Sequence, residues 1–221
     1  MNNNIYLDIG NSCAKWKFQE NYFGVPTIQF EIDKLPKSSK IWLSNVSNGF
    51  DFSKKSNIFI VKSQATYKSL KNSYKTPSLL GSDRWLAMIA SYEMCQKSFI
   101  TIDIGSAVTI DVVDCFGNHQ GGIIFPGLHK IRQVFNFSLN EIENIQILGN
   151  STEKGWAIGT LSQIVYLINL KVNELKIQFP DACIFISGGG FEDVKKHLNF
   201  SYEHHKNLVL DGLEFFADNM G

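Results

Sequence analysis

Residues 5–12 read IYLDIGNS, and residues 99–106 read FITIDIGS. Each stretch is an apolar run that ends in Asp-Ile-Gly and a small polar residue, a pattern that predicts a buried strand followed by a tight turn. A second strand with alternating apolar residues begins soon after each turn, marked by Ala14, Trp16 and Phe18 in one copy and by Val108, Ile110 and Val112 in the other. The sequence therefore contains two strand-turn-strand units of the same design.

The two units indicate a chain built from two similar halves. Asp8 and Asp103 lie about 95 residues apart, which is close to the size of a small domain and far longer than a solenoid repeat. Apolar patterns predict further strands at 41–43, 58–61, 119–125 and 182–186, and helices at 84–96, 127–137 and about 161–177. We therefore expect an α/β fold with mixed sheets flanked by helices, and with halves at residues 1–98 and 99–221.

The composition narrows the class of protein. The chain has 221 residues, with 21 Lys and Arg against 21 Asp and Glu, so its formal net charge is zero. This balance argues against a nucleic-acid binder that rests on a basic surface, because such binders draw most of their affinity from phosphate neutralisation. A hydrophobic content of 44% is typical of a globular protein with a packed core. The Lys- and Ser-rich stretches at 34–40 and 62–75 are interpreted as solvated loops.

Cysteine usage and the N-terminus predict the location. Residues 1–4 are polar and lack the pattern of a signal peptide, and no apolar run approaches the roughly 18 residues that span a bilayer. The four cysteines are widely spaced, which predicts reduced, buried side chains: Cys13, Cys95, Cys115 and Cys183. The five histidines show no metal-ligand spacing, so none is assigned a role. We expect a cytoplasmic protein with no membrane or nucleic-acid partner.

The Asp-Ile-Gly turns have a definite chemical capacity. A strand that ends in this way and returns directly as another strand can wrap backbone N–H groups around anionic oxygens, while its carboxylate holds a cation or the water shell of one. A single such turn is more often an ordinary hairpin without a ligand. Two turns facing each other can grip one nucleoside triphosphate from both sides of a cleft.

A further motif gives a specific resemblance. Residues 81–84 read GSDR, with Tyr74 seven residues ahead of Gly81, and this arrangement resembles the pantothenate site of type III pantothenate kinases. The rest of that family's pattern follows in order: phosphate motifs at 8–12 and 103–111, GGIIFPG at 121–127, and GNST at 149–152 with Gly159 seven residues later. The stretch SGGG at 187–190 is similar to the segment that borders the adenosine in the wider superfamily. The combination and order of these motifs are specific, although no single one is.

The resemblance implies a fold, a reaction and its cofactors. The fold would be that of the actin-like ATPases and the acetate and sugar kinases, with two ribonuclease H-like halves and ATP in the cleft between them. The reaction would be ATP-dependent phosphorylation of pantothenate, the first step of coenzyme A biosynthesis. Mg²⁺ and a monovalent cation, K⁺ or NH₄⁺, would accompany ATP, and the protein would form a homodimer.

The resemblance also implies residue roles. Asp83 would be the general base, and Asp103 would hold the monovalent cation. Pantothenate would be bound by Tyr74, Gly81, Ser82, Asp83, Arg84 and Thr152. The nucleotide would be bound by Asp8, Ile9, Gly10, Asn11, Ser12, Cys13, Ala14, Lys15 and Ser106. Threonine is usual in this family where Ser12 and Ser106 stand, and serine keeps the hydroxyl donor.

Other interpretations of these residues stay open at this stage. Asp83 and Thr152 could be helix N-caps, and Tyr74 could be a half-buried core residue. A kinase of the same superfamily for another small alcohol would share both phosphate motifs without the GSDR motif. A non-catalytic relative acting as an accessory factor in gene regulation is a third hypothesis, although it need not retain Asp8, Asp83 and Asp103, which are all present here.

Overall fold

A computed structural model describes residues 3–50, 52, 56–135, 137 and 148–220. Its first sheet has five strands: β1 (Ile5–Ile9), β2 (Cys13–Phe18), β3 (Asn21–Pro26), β4 (Ile41–Asn45) and β5 (Ile58–Ile60). Their order in the sheet is β3-β2-β1-β4-β5, with β2 antiparallel to its neighbours and β4 and β5 parallel to β1. A short hairpin follows, formed by β6 (Thr66–Tyr67) and β7 (Leu70–Lys71).

The second sheet repeats this arrangement. Its strands are β8 (Phe99–Ile104), β9 (Ala107–Val113), β10 (His119–Pro126), β11 (Cys183–Ser187) and β12 (Glu203–His204). Their order is β10-β9-β8-β11-β12, with β9 antiparallel to its neighbours and β11 and β12 parallel to β8. The expected α/β fold with two similar mixed sheets is therefore confirmed, and the two sheets have the same strand order.

Five helices cover the sheets within the described part of the chain: α1 (Ser82–Met94), α2 (Leu128–Arg132), α3 (Thr152–Gln178), α4 (Phe191–Val194) and α5 (Leu208–Met220). The long helix α3 buries Ile164, Ile168 and Val172 in the core of the second half. None of the helices among these residues combines the length and apolar content that a bilayer crossing requires.

Helix α1 lies between the two sheets and carries the shared core. Its fully buried residues include Trp85 and Leu86, which belong to one hydrophobic cluster with Trp42 of the first sheet and Phe99 of the second. Helix α5 packs against α1 and β1, and Gly212 lies so close to the Leu86 carbonyl that a Cβ would collide with it. The last helix of the chain thus covers the first sheet. The boundary at residues 98 and 99 stays a prediction.

Several local predictions differ from the structure. The helix expected at 127–137 spans only Leu128–Arg132, and part of that prediction, residue 136, lies outside the described residues. The stretch 62–75, interpreted as a loop, contains the β6–β7 hairpin. The third strand of the first sheet, β3, and helix α5 were not predicted.

The prediction of four reduced, buried cysteines is wrong. Cys95 and Cys183 form a disulfide, Cys115 is exposed and Cys13 is partly buried. Cys95 follows α1 directly and Cys183 begins β11, so the fold brings together two side chains that are 88 residues apart in sequence. Spacing alone gave no sign of that pairing.

Candidate active site between the two sheets

A cleft of about 430 Å³ lies where the central strands of the two sheets end. Both Asp-Ile-Gly turns line it, together with the start of α1, the glycine run after β11 and the start of α5. The residues predicted from sequence that line it are Asp8, Gly10, Asn11, Ser12, Cys13, Lys15, Asp83, Asp103 and Ser106. Nine of the predicted residues therefore meet in one cavity.

The first turn is held from behind by the residue that directly follows β3. Thr27 donates its hydroxyl to the Gly10 carbonyl at 2.7 Å and its backbone N–H to the Ser12 carbonyl at 3.1 Å. Asn11 and Ser12 at the tip stay exposed. Because its carbonyls are tied back, the tip can present N–H groups and a hydroxyl to an anion.

The second turn is packed more tightly, and glycines make that possible. Gly127 donates to the Ser106 carbonyl at 2.9 Å, and Gly190 donates to the Ile104 carbonyl at 2.8 Å. A Cβ on Gly127 or on Gly188 would collide with the backbone of this turn, and Gly188 also has a positive φ of 101°. The GGIIFPG and SGGG motifs therefore supply the close approaches that enclose the turn.

Three carboxylates share the cleft. Burial raises the pKa of Asp8 from its ordinary 3.8 to about 7, and the negative charges of Asp83 and Asp103 add to that rise. Burial, with the charge of Asp103, likewise raises the pKa of Asp83, and burial raises that of Asp103. Among the described residues, Asp8 Oδ1 is buried without a hydrogen-bond partner. The cluster is therefore short of positive charge.

Partial compensation comes from three side chains, one of which is Ser44, whose hydrogen bond lowers the pKa of Asp8. Ser187 donates its hydroxyl to Asp103 Oδ1 at 2.7 Å, and Lys15 lowers the pKa of both Asp8 and Asp103 by its charge. These contributions are outweighed by burial, since both pKa values remain raised. A cation and a phosphate chain entering the cleft would supply what the protein lacks.

The first turn of α1 is tied to both sheets. Ser82 shares a hydrogen bond of 3.0 Å with Ser44 on β4. Arg84 donates from Nε and Nη2 to the two oxygens of Asp111 on β9, at 2.8 and 2.5 Å. Asp83 lies between these two anchored residues and lines the cleft.

The remaining predicted residues lie outside the cleft lining. Ile9 and Ala14 are fully buried, so only their backbone could meet a ligand. Tyr74, Gly81, Ser82 and Arg84 surround the start of α1, with the Tyr74 hydroxyl 3.0 Å from Arg84 Nη1. Thr152 is exposed at the first position of α3, and the N-cap there is Ser151, which accepts a bond from the Lys154 N–H.

Sequence reasoning missed part of the site. It assigned no role to the histidines, but His119 is buried and its Nε2 lies 3.0 Å from Asp111 Oδ1. Asp111 itself was seen only as the end of a motif, although a carboxylate inside the apolar strand β9 requires a buried cation. The cleft also includes residues that had no signal in the sequence: His129, Asp193, Lys206 and Asn207.

Solved structures with the same architecture identify the fold. A protein from Campylobacter jejuni described as a Baf family transcriptional activator is 21% identical, with a TM-score of 0.65 and 98% of each chain covered. The activator of the 2-hydroxyisocaproyl-CoA dehydratase from Clostridium difficile, solved with bound ADPNP, has a TM-score of 0.51 at 10% identity, over 98% of this chain and 95% of that one. These likenesses show that the chain has the same fold as the two proteins, with two similar mixed sheets on either side of a cleft.

Sequence comparisons then give the family. The family model of type III pantothenate kinases matches residues 35–174. The type III pantothenate kinase of Pseudoalteromonas atlantica is 32% identical over 96% of both chains, and that of Alcanivorax borkumensis is 29% identical over 96% of this chain and 98% of its own. The chain belongs to the type III pantothenate kinase family, which makes it a phosphotransferase and a kinase.

The raised pKa of Asp8 predicts how stability depends on pH. The pKa of Asp8 is higher in the folded protein than in the unfolded chain. Its contribution to the unfolding free energy is therefore fully present below about pH 4 and is lost as pH rises through about 7. We expect Asp8→Asn to raise the unfolding free energy of the ligand-free protein at pH 8, by up to about 4 kcal/mol at ~1.4 kcal/mol per pKa unit. Urea titrations between pH 4 and 8 measure this.

A contrasting variant controls for the loss of any carboxylate. The pKa of Asp114 is lowered overall, because hydrogen bonds from Asn118 and Phe116 outweigh its burial. Asp114→Asn should therefore destabilise the protein at pH 8, the opposite sign. A lower stability of Asp8→Asn than of wild type at pH 8 would contradict the electrostatic account of the cleft.

Proposed function

We propose that this protein transfers the terminal phosphoryl group of ATP to the primary hydroxyl of pantothenate, forming 4′-phosphopantothenate in the first step of coenzyme A biosynthesis. The observation that supports this proposal most strongly is that Asp8, Asp83 and Asp103 line one cleft between the two turns, in a member of the type III pantothenate kinase family. We also place the reaction in the cytoplasm, where its phosphoryl donor is held.

Asp83 is the proposed general base. The proton of an alkyl hydroxyl must leave as its oxygen bonds to phosphorus, and a carboxylate within hydrogen-bond reach can accept it. Burial raises the pKa of Asp83, which brings its basicity closer to what proton abstraction near neutral pH requires. The backbone N–H of Arg84 donates to Asp83 Oδ1 at 2.8 Å and orients the carboxylate.

The two turns are the proposed phosphate sites. Gly10, Asn11, Ser12 and Cys13 present the first turn and Ser106 belongs to the second, with Lys15 adding positive charge on the first side. Backbone N–H groups and the serine hydroxyls can donate to phosphate oxygens from opposite walls. Ile9 and Ala14 support the first turn through their buried side chains.

Mg²⁺ fits the residues at Asp8. The orphaned buried oxygen Asp8 Oδ1 and the negative charges of Asp83 and Asp103 nearby are the environment in which a divalent cation or its water shell binds. When bound, the ion would neutralise charge on the phosphate oxygens. Asp8 would then be held ionised, since a nearby cation lowers the pKa of a carboxylate.

A monovalent cation, K⁺ or NH₄⁺, fits Asp103. Its Oδ1 accepts from Ser187 and the residue lines the cleft, so the other carboxylate oxygen, Oδ2, is the proposed ligand of the ion. A large, weakly hydrated ion can be shared between that oxygen and a phosphate group. The site therefore needs less positive charge from the protein than a P-loop does.

The GSDR segment and Tyr74 are proposed to bind pantothenate, together with Thr152. Arg84 and Tyr74 can donate to the carboxylate of the substrate, and Gly81 and Ser82 hold the start of α1 that carries the base. Thr152 lies at the exposed start of α3, away from the cleft lining of its own chain. In a homodimer it could instead reach the substrate of the neighbouring subunit.

The homodimer is supported by an apolar stripe on α3. Tyr166, Leu170 and Ile177 are 62%, 54% and 83% exposed and share one face of the helix. Such a stripe is typical of a surface that packs against another helix.

We expect Leu170→Lys to shift the protein from a dimer to a 25 kDa monomer in sedimentation experiments. A wild-type protein that sediments as a fully active monomer at micromolar concentration would contradict the dimer.

The reaction and the base are tested together. We expect the purified protein with Mg²⁺ and ATP to phosphorylate pantothenate in a panel that includes pantetheine and other small alcohols. Asp83→Asn keeps the shape of the side chain and should reduce the rate about 10²–10⁴-fold, the usual contribution of a general base. Steady-state kinetics measure the rate, and calorimetry checks that ATP still binds.

Each failure has a distinct meaning. Phosphorylation of another alcohol but not of pantothenate would refute the substrate assignment. An Asp83→Asn variant within a few-fold of wild type would show that Asp83 is not the base. Absence of any phosphoryl transfer would favour a non-catalytic accessory protein.

The cation at Asp103 is tested separately. We expect activity to be low in buffer that contains only Na⁺ or Li⁺, and to rise when K⁺ or NH₄⁺ is added. Asp103→Asn should abolish this response, because it removes the charge that holds the ion. The dependence of activity on K⁺ or NH₄⁺ is measured by titrating each salt at constant ionic strength, for the wild type and for Asp103→Asn. Equal activity in rigorously K⁺- and NH₄⁺-free buffer would refute the cation site and leave the kinase reaction standing.

A further inference from the structure

A continuous hydrogen-bonded chain runs behind the start of α1. Asp111 is 1% exposed, and besides its two bonds from Arg84 it contacts His119 Nε2 at 3.0 Å. On the far side of the imidazole, Nδ1 lies 3.1 Å from Ser73 Oγ. On the far side of the guanidinium, Arg84 Nη1 donates to the Tyr74 hydroxyl at 3.0 Å.

The chemistry of the groups gives each bond a direction. An ionised carboxylate paired with a guanidinium can only accept, so His119 Nε2 must carry a hydrogen. In a neutral imidazole Nδ1 is then an acceptor, and it takes the hydroxyl hydrogen of Ser73. Because a guanidinium can only donate, the Tyr74 oxygen accepts from Arg84 and its own hydrogen stays available. No acceptor for that hydrogen is found among the described residues.

We propose that Asp111, held in turn by His119 and Ser73, is a positioning residue for pantothenate binding. It uses two of the five N–H groups of Arg84, and Tyr74 takes a third. Two N–H groups of Arg84 and the Tyr74 O–H are left as donors for one anionic acceptor, the substrate carboxylate. This inference rests on the proposed function and adds to it the residues that orient the substrate contacts.

The neighbouring strand is built around this ion pair. Gly122 on β10 pairs with Asp111 in the sheet, and a Cβ at Gly122 would collide with Asp111 Oδ1 and with Arg84 Nη2. The Tyr74 ring also stacks on the His119 ring, with centroids 6.2 Å apart and planes 11° apart. Packing and hydrogen bonds therefore hold Arg84 and Tyr74 in one arrangement.

The hydrogen-bond direction is tested without any activity measurement. Long-range ¹H–¹⁵N NMR correlations on the ¹⁵N-labelled full chain report the tautomer of each histidine, and a His119→Gln spectrum assigns the signal. We expect Nε2 of His119 to carry a hydrogen, as its contact with the Asp111 carboxylate requires. A neutral imidazole with its hydrogen on Nδ1, and therefore none on Nε2, would overturn the proposed chain.

Kinetics test the positioning role. Ser73→Ala removes an exposed hydroxyl and should raise the KM for pantothenate about three- to tenfold while kcat and the KM for ATP stay within about twofold, as expected for lost ground-state orientation. Asp111→Asn should give the same pattern more strongly. If Asp111→Asn does not fold, the same KM and kcat measurements on Ser73→Ala and Tyr74→Phe decide whether the positioning role is correct.

A distant ion pair supplies the control. Glu214→Gln breaks the 2.6 Å contact between Glu214 and Lys17, away from this chain of hydrogen bonds, and should leave both KM values unchanged. Parallel changes in both KM values in Ser73→Ala would indicate general destabilisation and overturn the positioning role. A wild-type protein that does not phosphorylate pantothenate would refute the proposed function and the substrate part of this inference, whereas the His119 tautomer would still decide the hydrogen-bond chain.

Discussion

The attachment of one helical turn to two sheets is the contact on which the site depends. Ser82 holds the start of α1 to β4 of the first sheet, and Arg84 holds it to β9 of the second through a buried, bidentate ion pair. Asp83 between them is thereby brought to the cleft at which both central strands end. Removing one partner of a buried ion pair leaves an uncompensated charge, so this attachment is also the least replaceable contact at the site.

The crowded carboxylates follow from that geometry. Once α1 brings Asp83 to the ends of β1 and β8, three carboxyl groups are crowded together in partly buried positions, and their pKa values rise. Hydrogen bonds from Ser44 and Ser187 and the charge of Lys15 compensate Asp8 and Asp103 only in part, since both pKa values remain raised. A ligand-free cleft of this kind is electrostatically unfavourable, and it is suited to a substrate that arrives with its own cations.

The parts of the structure that could be predicted are those encoded locally. The two Asp-Ile-Gly turns, the strands around them and most of α1 and α3 follow from patterns within a few residues. The pairing of Arg84 with Asp111 and the joining of Cys95 to Cys183 depend on residues brought together only by the complete fold. Helix α5 was missed for a related reason: Gly212 disfavours a helix by itself, and only its close fit against Leu86 explains its presence.

The position of α5 also has a consequence for how the protein is made. The first sheet is synthesised by residue 60, but the helix that packs on β1 and α1 begins at residue 208. Roughly 150 residues must be translated between the last strand of the first sheet and the helix α5 that packs on that sheet, at a rate of about 5–20 residues per second. The strands of the second sheet and its long helix are complete by residue 204. The packing of the first sheet against α1 and α5 can therefore form only after nearly all of the chain between β1 and α5 has been synthesised.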